Sequence, residues 1–243
     1  MRILVLTILS TLNAAELSAA PLRCELSANG TPPQRVELYT SEGCSSCPPA
    51  DRWLSGLKPA DQRMLLAFHV DYWDDLGWPD RFADARFSQR QRELAARARS
   101  RTVYTPEVAV EGREFRGWRQ GLPQPAVTAG LPLTARILID NGVEVELLPA
   151  AGYPTGAKAH LAITEDGLYT QVRAGENRGQ QLRHDHVVRA FAQPMPLSRP
   201  LRVKLPSDLN PDQARLNLWV EDAQWQTLQA LSAALGVCDS AAE

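Results

Sequence analysis

Residues 39–51 read YTSEGCSSCPPAD and join two predicted elements of secondary structure. Residues 35–40 (RVELYT) alternate in polarity and are rich in β-branched and aromatic side chains, which predicts a strand. Proline is tolerated in the first turn of a helix, so Pro48 and Pro49 favour a helix start. The two cysteines of this stretch, Cys44 and Cys47, therefore stand where a strand ends and a helix begins.

This position favours a reactive sulfur at Cys44. The first N–H groups of a helix have no partner within the helix, and together with the helix dipole they stabilise a negative charge. We therefore expect Cys44 to be the nucleophile in its thiolate form. Cys47 would attack a mixed disulfide formed at Cys44 and release the substrate. The alternative is a permanent disulfide without turnover.

Further elements follow the cysteine pair at regular intervals. Residues 64–70 (MLLAFHV) are typical of a buried parallel strand, residues 81–99 of a helix, and residues 108–115 of a short hairpin. The order strand, helix, strand, helix, hairpin predicts an α/β thioredoxin-like domain, a mixed sheet with flanking helices, over residues 34–122.

The pattern changes after residue 121. Three prolines at 123, 125 and 132 indicate a linker. Short strand patterns then recur about every dozen residues, and the Asn141-Gly142 pair is typical of a hairpin turn. Residues 133–238 are therefore expected to form a smaller, all-β, sandwich-like domain. The segment 225–237 is compatible with either a helix or a final strand.

Two other segments are expected to border the cysteine pair. In thioredoxin-like domains a proline at the position of Pro106 is cis and faces the cysteines, which leaves the backbone of Thr105 free to pair with an extended substrate. Asp71 and Trp73 follow strand 64–70 at the sheet edge where ligands bind. Asp71 would accept a proton from Cys47, and Trp73 would form an apolar wall, although core packing and loop capping are equally good explanations. The predicted substrate-contacting residues are Thr105, Ser45, Ser46, Asp71 and Trp73.

Four stretches together carry a resemblance to a known family: YTSEGCSSCPPAD (39–51), FHVDYWDDLGW (68–78), YTPEVAVEG (104–112) and GENRGQQLRHDHVV (175–188). They are similar to the secreted thioredoxin-like proteins of the family named domain of unknown function 1223. The resemblance implies a thioredoxin-like fold with an added β-rich portion and supplies no reaction. Ser45 and Ser46 replace the Gly-Pro of thioredoxin, and Leu38 occupies the place of its buried aspartate, so proton handling must differ.

The N-terminal residues predict export. Residues 1–20 have a short basic start, an apolar core at 3–9 and small residues before a cleavage point, as signal peptides do. A periplasmic or secreted location, with no stable membrane anchor after signal removal, permits disulfides. Closing the long Cys24–Cys238 loop would stabilise by about 5 kcal/mol, whereas the short Cys44–Cys47 loop gives about 2. Cys24 and Cys238 are therefore the expected structural disulfide.

The predicted function is an exported thiol–disulfide oxidoreductase without cofactor or metal, whose partners are protein or small-molecule thiols and disulfides. A formal net charge of −2 argues against a nucleic-acid partner. One alternative is a copper(I) metallochaperone that uses Cys44, Cys47 and His69, because soft thiolates select copper(I). Another is a redox-silent interaction module. His184 and His186 have the spacing of two metal ligands on a strand, but packed or surface histidines are the commoner case.

Overall fold

The strand predicted at residues 35–40 lies near the middle of a nine-stranded mixed sheet. The computed structural model describes residues 21–58, 62–125, 127 and 129–238. Its helices are α1 (Pro48–Ser55) and α2 (Ala85–Arg97). Its strands are β1 (Leu22–Ala28), β2 (Gln34–Thr40), β3 (Arg63–His69), β4 (Glu107–Val110), β5 (Arg113–Glu114), β6 (Leu133–Ile139), β7 (Gly142–Pro149), β8 (Lys158–Glu165), β9 (Leu168–Gln171), β10 (Gln181–His184), β11 (Val187–Phe191), β12 (Met195–Pro196), β13 (Leu201–Lys204), β14 (Ala214–Glu221) and β15 (Thr227–Ala234).

The large sheet has the strand order β15-β14-β8-β11-β3-β2-β4-β5, with β12 pairing to β8. Strand β3 is parallel to both of its neighbours, β2 and β11, and the remaining pairs of the sheet are antiparallel. A second sheet contains β1-β6-β7-β13, and β9 and β10 form a separate two-stranded hairpin. Apolar side chains of the second sheet, such as Ala135 and Val145, share one core with Leu161 of β8 and Leu218 of β14. The four-stranded sheet therefore packs on the β8–β14 end of the large sheet.

The predicted fold class is wrong. Instead of an α/β thioredoxin-like domain followed by a separate, smaller all-β domain, the described residues are mostly β-sheet with two α-helices, and strands from both segments form one sheet. The junction is the parallel pairing of β11 with β3 at Val187 and Ala67. The physical reason is burial on both faces: seven of the eight residues of β8 are buried. A strand buried on both faces belongs inside a large layered sheet, whereas the strands of a small sandwich keep one face open to solvent. The domain boundaries at residues 122 and 133 stay a prediction.

The two helices cover opposite faces of β2. Side chains alternate along a strand, so Leu38 packs with Leu54 of α1, whereas the next residue, Tyr39, packs in the cluster that contains Phe87 and Leu94 of α2. Both faces of β2 are closed, and all seven of its residues are buried. The end of β2 is thus a rigid platform for the cysteines that follow it.

Buried charges on the α2 side of β2 are paired with one another. The Arg90 guanidinium lies 2.8 Å from the Glu37 carboxylate, and the Arg35 guanidinium lies 2.5 Å from the Glu221 carboxylate. The guanidinium of Arg90 is also 5.5 Å from the ring centroid of Trp219. These contacts tie α2 and β14 to the same central strand.

The two ends of the described chain are joined covalently. Cys24 of β1 and Cys238 form a disulfide, the pairing that loop length favours. In the residues that the structure covers, no helix has the length and apolar character needed to cross a membrane. The predicted signal peptide, residues 1–20, lies outside the described residues.

Candidate functional site

The cysteine pair occupies the predicted junction between β2 and α1. Cys47 is the N-cap residue of α1, and its N–H donates to the carbonyl of Cys44 at 3.1 Å. The two cysteines form a disulfide. Both are fully buried, whereas Ser45 and Ser46 between them are exposed. The chain therefore presents two hydroxyls at the surface and keeps the sulfurs beneath it.

Thr105 and Pro106 lie beside this loop. The peptide bond between them is cis. The Ser46 hydroxyl donates to the Thr105 carbonyl at 3.4 Å, and the Trp73 indole N–H donates to the Thr105 hydroxyl at 2.8 Å. Of the predicted substrate-contacting residues, Ser46, Thr105 and Trp73 are thus linked to one another.

Asp71 lies elsewhere, against helix α2. Its N–H donates to the Ser88 hydroxyl at 3.1 Å, and the same hydroxyl donates to the Asp71 carboxylate. These contacts favour the loop-capping explanation of Asp71. A role for it as the proton acceptor of Cys47 stays a prediction.

A loop between β9 and β10 lies over the cysteine pair. We call residues 175–179 the covering loop. The side-chain amide of Asn177 donates to the carbonyl of Glu42 at 2.8 Å and to that of Cys44 at 3.0 Å. The Glu176 carboxylate accepts from the Ser45 N–H at 3.1 Å and from the Ser45 hydroxyl at 2.6 Å. These bonds from Ser45 lower the pKa of Glu176, which keeps the carboxylate ionised.

Glycines at both ends of the covering loop allow its path. Gly175 and Gly179 have φ of 68° and 86°, in the left-handed region that side chains disfavour. A Cβ at Gly175 would also come within 3.1 Å of the Cβ of Trp78. Glycine at position 175 therefore lets the loop pack closely on Trp78 before it reaches the cysteines.

A second layer of ionisable groups lies next to the cysteine loop; we call it the buried ionisable cluster. Its members are Glu42, Asp51, His69, Asp80 and His184, none more than 7% exposed. Glu42 lies in the loop before Cys44, Asp51 in α1 and His69 in β3. Asp80 lies in the segment before α2, and His184 lies in β10. Five titratable side chains are expensive to bury unless they are paired, so the pairing of each one has to be examined.

One half of this cluster is a well-formed ion pair. The Nδ1 atom of His69 lies 2.6 Å from Oδ2 of Asp80, which also accepts the Glu42 N–H at 2.8 Å. Burial disfavours the charged imidazole, but Asp80 together with the carboxyl groups of Asp51 and Glu42 raises the pKa of His69. Burial likewise opposes ionisation of Asp80, yet His69 and backbone donors lower the pKa of Asp80. This half of the cluster is therefore a stable ion pair.

The other half is only loosely paired. The Asp51 carboxylate accepts the Thr40 hydroxyl at 2.9 Å, and burial raises the pKa of Asp51. The Nδ1 atom of His184 is 3.8 Å from Asp51, and its Nε2 atom is 3.4 Å from Glu42. Neither ring nitrogen has a hydrogen-bond partner among the described residues. His184 thus lies between two carboxyl groups without being fixed to either.

His184 and His186 do not face a common ligand. His186 lies between β10 and β11, and its Nδ1 atom is 3.0 Å from Asp166. No group of three or more His, Cys, Asp or Glu side chains within the described ranges has a metal-binding arrangement. The residue spacing that resembled a metal motif therefore corresponds to two separate environments.

A surface groove begins at Pro106. It has a volume of about 490 Å³ and is lined by Tyr104, Pro106, Val108, Phe115, Arg116, Trp118 and Arg119. The Arg119 guanidinium lies 4.1 Å from the ring centroid of Trp118. The groove thus combines aromatic walls with two cationic side chains one residue away from the Thr105 carbonyl.

Sequence reasoning found the cysteine pair and its proline but missed most of the surrounding residues. Asn177 belongs to the stretch 175–188, which contributes to the family resemblance but contains no motif that indicates a chemical role. Glu42 and Asp51 flank the cysteines within the motif itself. Asn177 is 133 residues away from Cys44 in sequence, and spacing alone cannot reveal that contact.

Comparisons with known proteins place the chain in a family. No curated protein matches it. It is similar to a crystal structure of a protein from Agrobacterium tumefaciens, with 24% sequence identity, a TM-score of 0.54, and coverage of 84% of this chain and 95% of that chain. It is also similar to HBP35 of Porphyromonas gingivalis, with 10% identity, a TM-score of 0.49, and coverage of 86% and 76%. At this identity the first likeness concerns the fold alone. Residues 35–221 match the family described as protein of unknown function (DUF1223), and the chain belongs to that family.

Proposed function

We propose that the protein is a thiol–disulfide oxidoreductase that exchanges disulfides with protein or small thiols through Cys44 and Cys47. The observation that carries the proposal is the placement of the pair at the N-terminus of α1 with the Thr105 carbonyl beside it. The dipole of α1 favours a thiolate at Cys44, although Pro48 and Pro49 have no N–H and the N–H groups of Ala50 and Asp51 already donate to the Cys47 carbonyl. Because the fold of the chain as a whole is not that of a thioredoxin-like domain, the proposal rests on this local arrangement alone.

The exchange proceeds in two steps. The Cys44 thiolate attacks a substrate disulfide, a new S–S bond forms at Cys44, and one substrate sulfur leaves as a thiolate. The Cys47 sulfur then attacks Cys44, closes the Cys44–Cys47 bond and expels the second substrate thiolate. Two electrons pass from the protein dithiol to the substrate, and the reverse sequence oxidises a substrate dithiol.

The covering loop has to move for this exchange to occur. Both sulfurs are fully buried beneath Asn177 and Glu176. A substrate thiol reaches Cys44 only when these hydrogen bonds open, and local opening of a loop costs less free energy than global unfolding. The groove at Pro106 would then hold the substrate chain next to the exposed sulfur.

A location outside the cytoplasm is part of the same proposal. Two disulfides are present in the described residues. Such bonds persist in oxidising compartments and are rare in the cytosol. The predicted signal peptide agrees with this location.

The test is to trap the intermediate. In Cys47→Ala the resolving step is impossible, so we expect a mixed disulfide between Cys44 and glutathione to accumulate, detected by intact mass. Cys44→Ala is the matched control and should form none. If neither Cys47→Ala nor a Cys47→Ala/Asn177→Ala double variant forms the adduct, the pair is redox-silent and the proposal is wrong.

A further inference from the structure

Opening a buried disulfide requires a proton donor close to the leaving sulfur. When a thiolate attacks Cys44, the S–S bond breaks and its electron pair stays on Cys47. Cys47 is fully buried, and a bare thiolate there would be strongly disfavoured. A proton must therefore reach Cys47 within the protein, and it must leave again when the disulfide closes.

Asp51 is placed to carry this proton. Cys47 has helical dihedral angles, φ −79° and ψ −36°, and the Asp51 N–H donates to its carbonyl at 3.1 Å. Side chains four residues apart on a helix are neighbours on one face. Asp51 is 7% exposed, so its carboxyl group shares the buried side of α1 with the sulfur.

We propose that the Asp51 carboxyl group protonates Cys47 as the disulfide opens and accepts that proton back as it closes, with His184 positioning and replenishing it. The proposal rests on the thiol–disulfide exchange proposed above. It assigns to two members of the buried ionisable cluster a role that the sequence placed at Asp71.

His184 supplies a second observation. It is 2% exposed, and both of its ring nitrogens lack hydrogen-bond partners among the described residues. Leaving such groups unpaired costs stability. Because its two nitrogens face Asp51 and Glu42, His184 can pass a proton from one carboxyl group to the other. The Trp78 indole N–H holds the other oxygen of Glu42 at 2.8 Å.

The charges around Asp51 are consistent with a neutral carboxylic acid that can lose its proton. Burial raises the pKa of Asp51, which moves its protonation equilibrium towards the acid form. Of the groups that face Asp51, His184 and His69 favour its carboxylate, whereas Asp80 favours its protonated form. Thr40 donates a hydrogen bond to it. The site therefore contains groups that favour the carboxylate form of Asp51 and a group that favours its protonated form.

The protons and electrons balance in each direction. On opening, the carboxyl proton moves to the Cys47 thiolate as the incoming sulfur becomes bonded to Cys44. On closing, the Cys47 thiol gives its proton to the Asp51 carboxylate, its sulfur bonds to Cys44, and the substrate leaves as a thiolate. No reactant other than the thiol and disulfide of the exchange is needed.

The test uses the reduced protein and Ellman's reagent. Attack by Cys44 releases one nitrothiobenzoate, and attack by Cys47 on the resulting mixed disulfide releases the second, so the second phase reports the resolving step. In Asp51→Asn, which retains an acceptor for Thr40, we expect the first phase to be unchanged and the second to slow about a hundredfold at neutral pH. The second phase of the wild type should rise with pH as Asp51 ionises, and this rise should be absent in Asp51→Asn.

Two further variants sharpen the result. Asp75→Asn makes the same chemical change at an exposed carboxylate outside the cluster and should leave both phases unchanged. His184→Gln should slow the second phase about tenfold by removing the proton carrier. If Asp51→Asn keeps the wild-type second phase and pH profile, the assignment is wrong although the exchange function stands. If the wild type releases no second nitrothiobenzoate, the exchange function itself fails.

A measurement on the wild type alone covers the case in which Asp51→Asn does not fold. The infrared difference spectrum between oxidised and reduced protein should contain a band of a protonated carboxyl group that changes with the redox state. A spectrum without such a band would overturn the assignment.

Discussion

Asn177→Ala should make the buried disulfide much easier to reduce. The variant removes the two hydrogen bonds by which the Asn177 amide holds the carbonyls of Glu42 and Cys44. Each contributes about 1 kcal/mol net, so closure of the covering loop is weakened by about 2 kcal/mol. At 1.4 kcal/mol for each factor of ten, the open population rises roughly thirtyfold. The contacts between Glu176 and Ser45 are retained, which limits the change to one side chain.

The assay is the initial rate at which dilute dithiothreitol reduces the Cys44–Cys47 bond, followed by alkylation and mass spectrometry. When opening and closing are faster than the chemical step, the rate is proportional to the open population. Arg178→Ala is the matched control, because Arg178 is exposed in the same loop and no contact joins its side chain to the cysteines. A rate for Asn177→Ala equal to that of the wild type, or an equal increase in Arg178→Ala, would refute the role of the covering loop.

Three further predictions concern stability, and urea unfolding measures each. Replacing both Cys24 and Cys238 by Ser should lower the free energy of unfolding by about 5 kcal/mol, because their bond closes a loop with a sequence separation of 214. Arg90→Ala should lower it by about 3 kcal/mol, because it removes one of the buried partners of Glu37. Burial raises the pKa of Glu107 to about 7, so its neutral form stabilises the native state and this stabilisation is lost as pH rises from about 4.5 through 7. Glu107→Gln should remove that loss, and equal slopes in the two proteins between pH 5 and 8 would contradict it.

The elements nearest the motif could be predicted from local patterns. The strand expected at 35–40 is β2, and the strand expected at 64–70 is β3, each within a residue or two of its bounds. The helix expected at 81–99 is the shorter α2, which begins after the N-cap Asp84. Residues 81–84 are not helical, because Asp80 before them binds His69 and accepts the N–H of Phe82. Local polarity patterns cannot show such a long-range use of a side chain.

The sheet topology could not be predicted for a related reason. Strand β11 reads as one of several short strands in the second half of the chain, yet it pairs with β3 through a single residue pair, Val187 and Ala67. Apolar strands indicate burial but not which strand lies next to them. The same holds for the segment 225–237, where pairing with β14 along its length makes residues Thr227–Ala234 a strand. The fold class depends on which strands pair with one another, and local conformation does not determine that pairing.

The two disulfides of the described chain differ in how much they stabilise the fold, and this difference bears on function. The Cys24–Cys238 bond joins the ends of the described chain and supplies most of the entropic stabilisation, whereas the Cys44–Cys47 bond spans three residues and supplies only about 2 kcal/mol. Yet the second bond is the one surrounded by a covering loop, a buried ion pair and an unpaired buried histidine. Burying those groups disfavours folding whether or not the bond opens, because an apolar core at this position would be more stable. The proposed exchange gives these groups a role, because opening the bond would leave a charge on a buried sulfur that requires a proton.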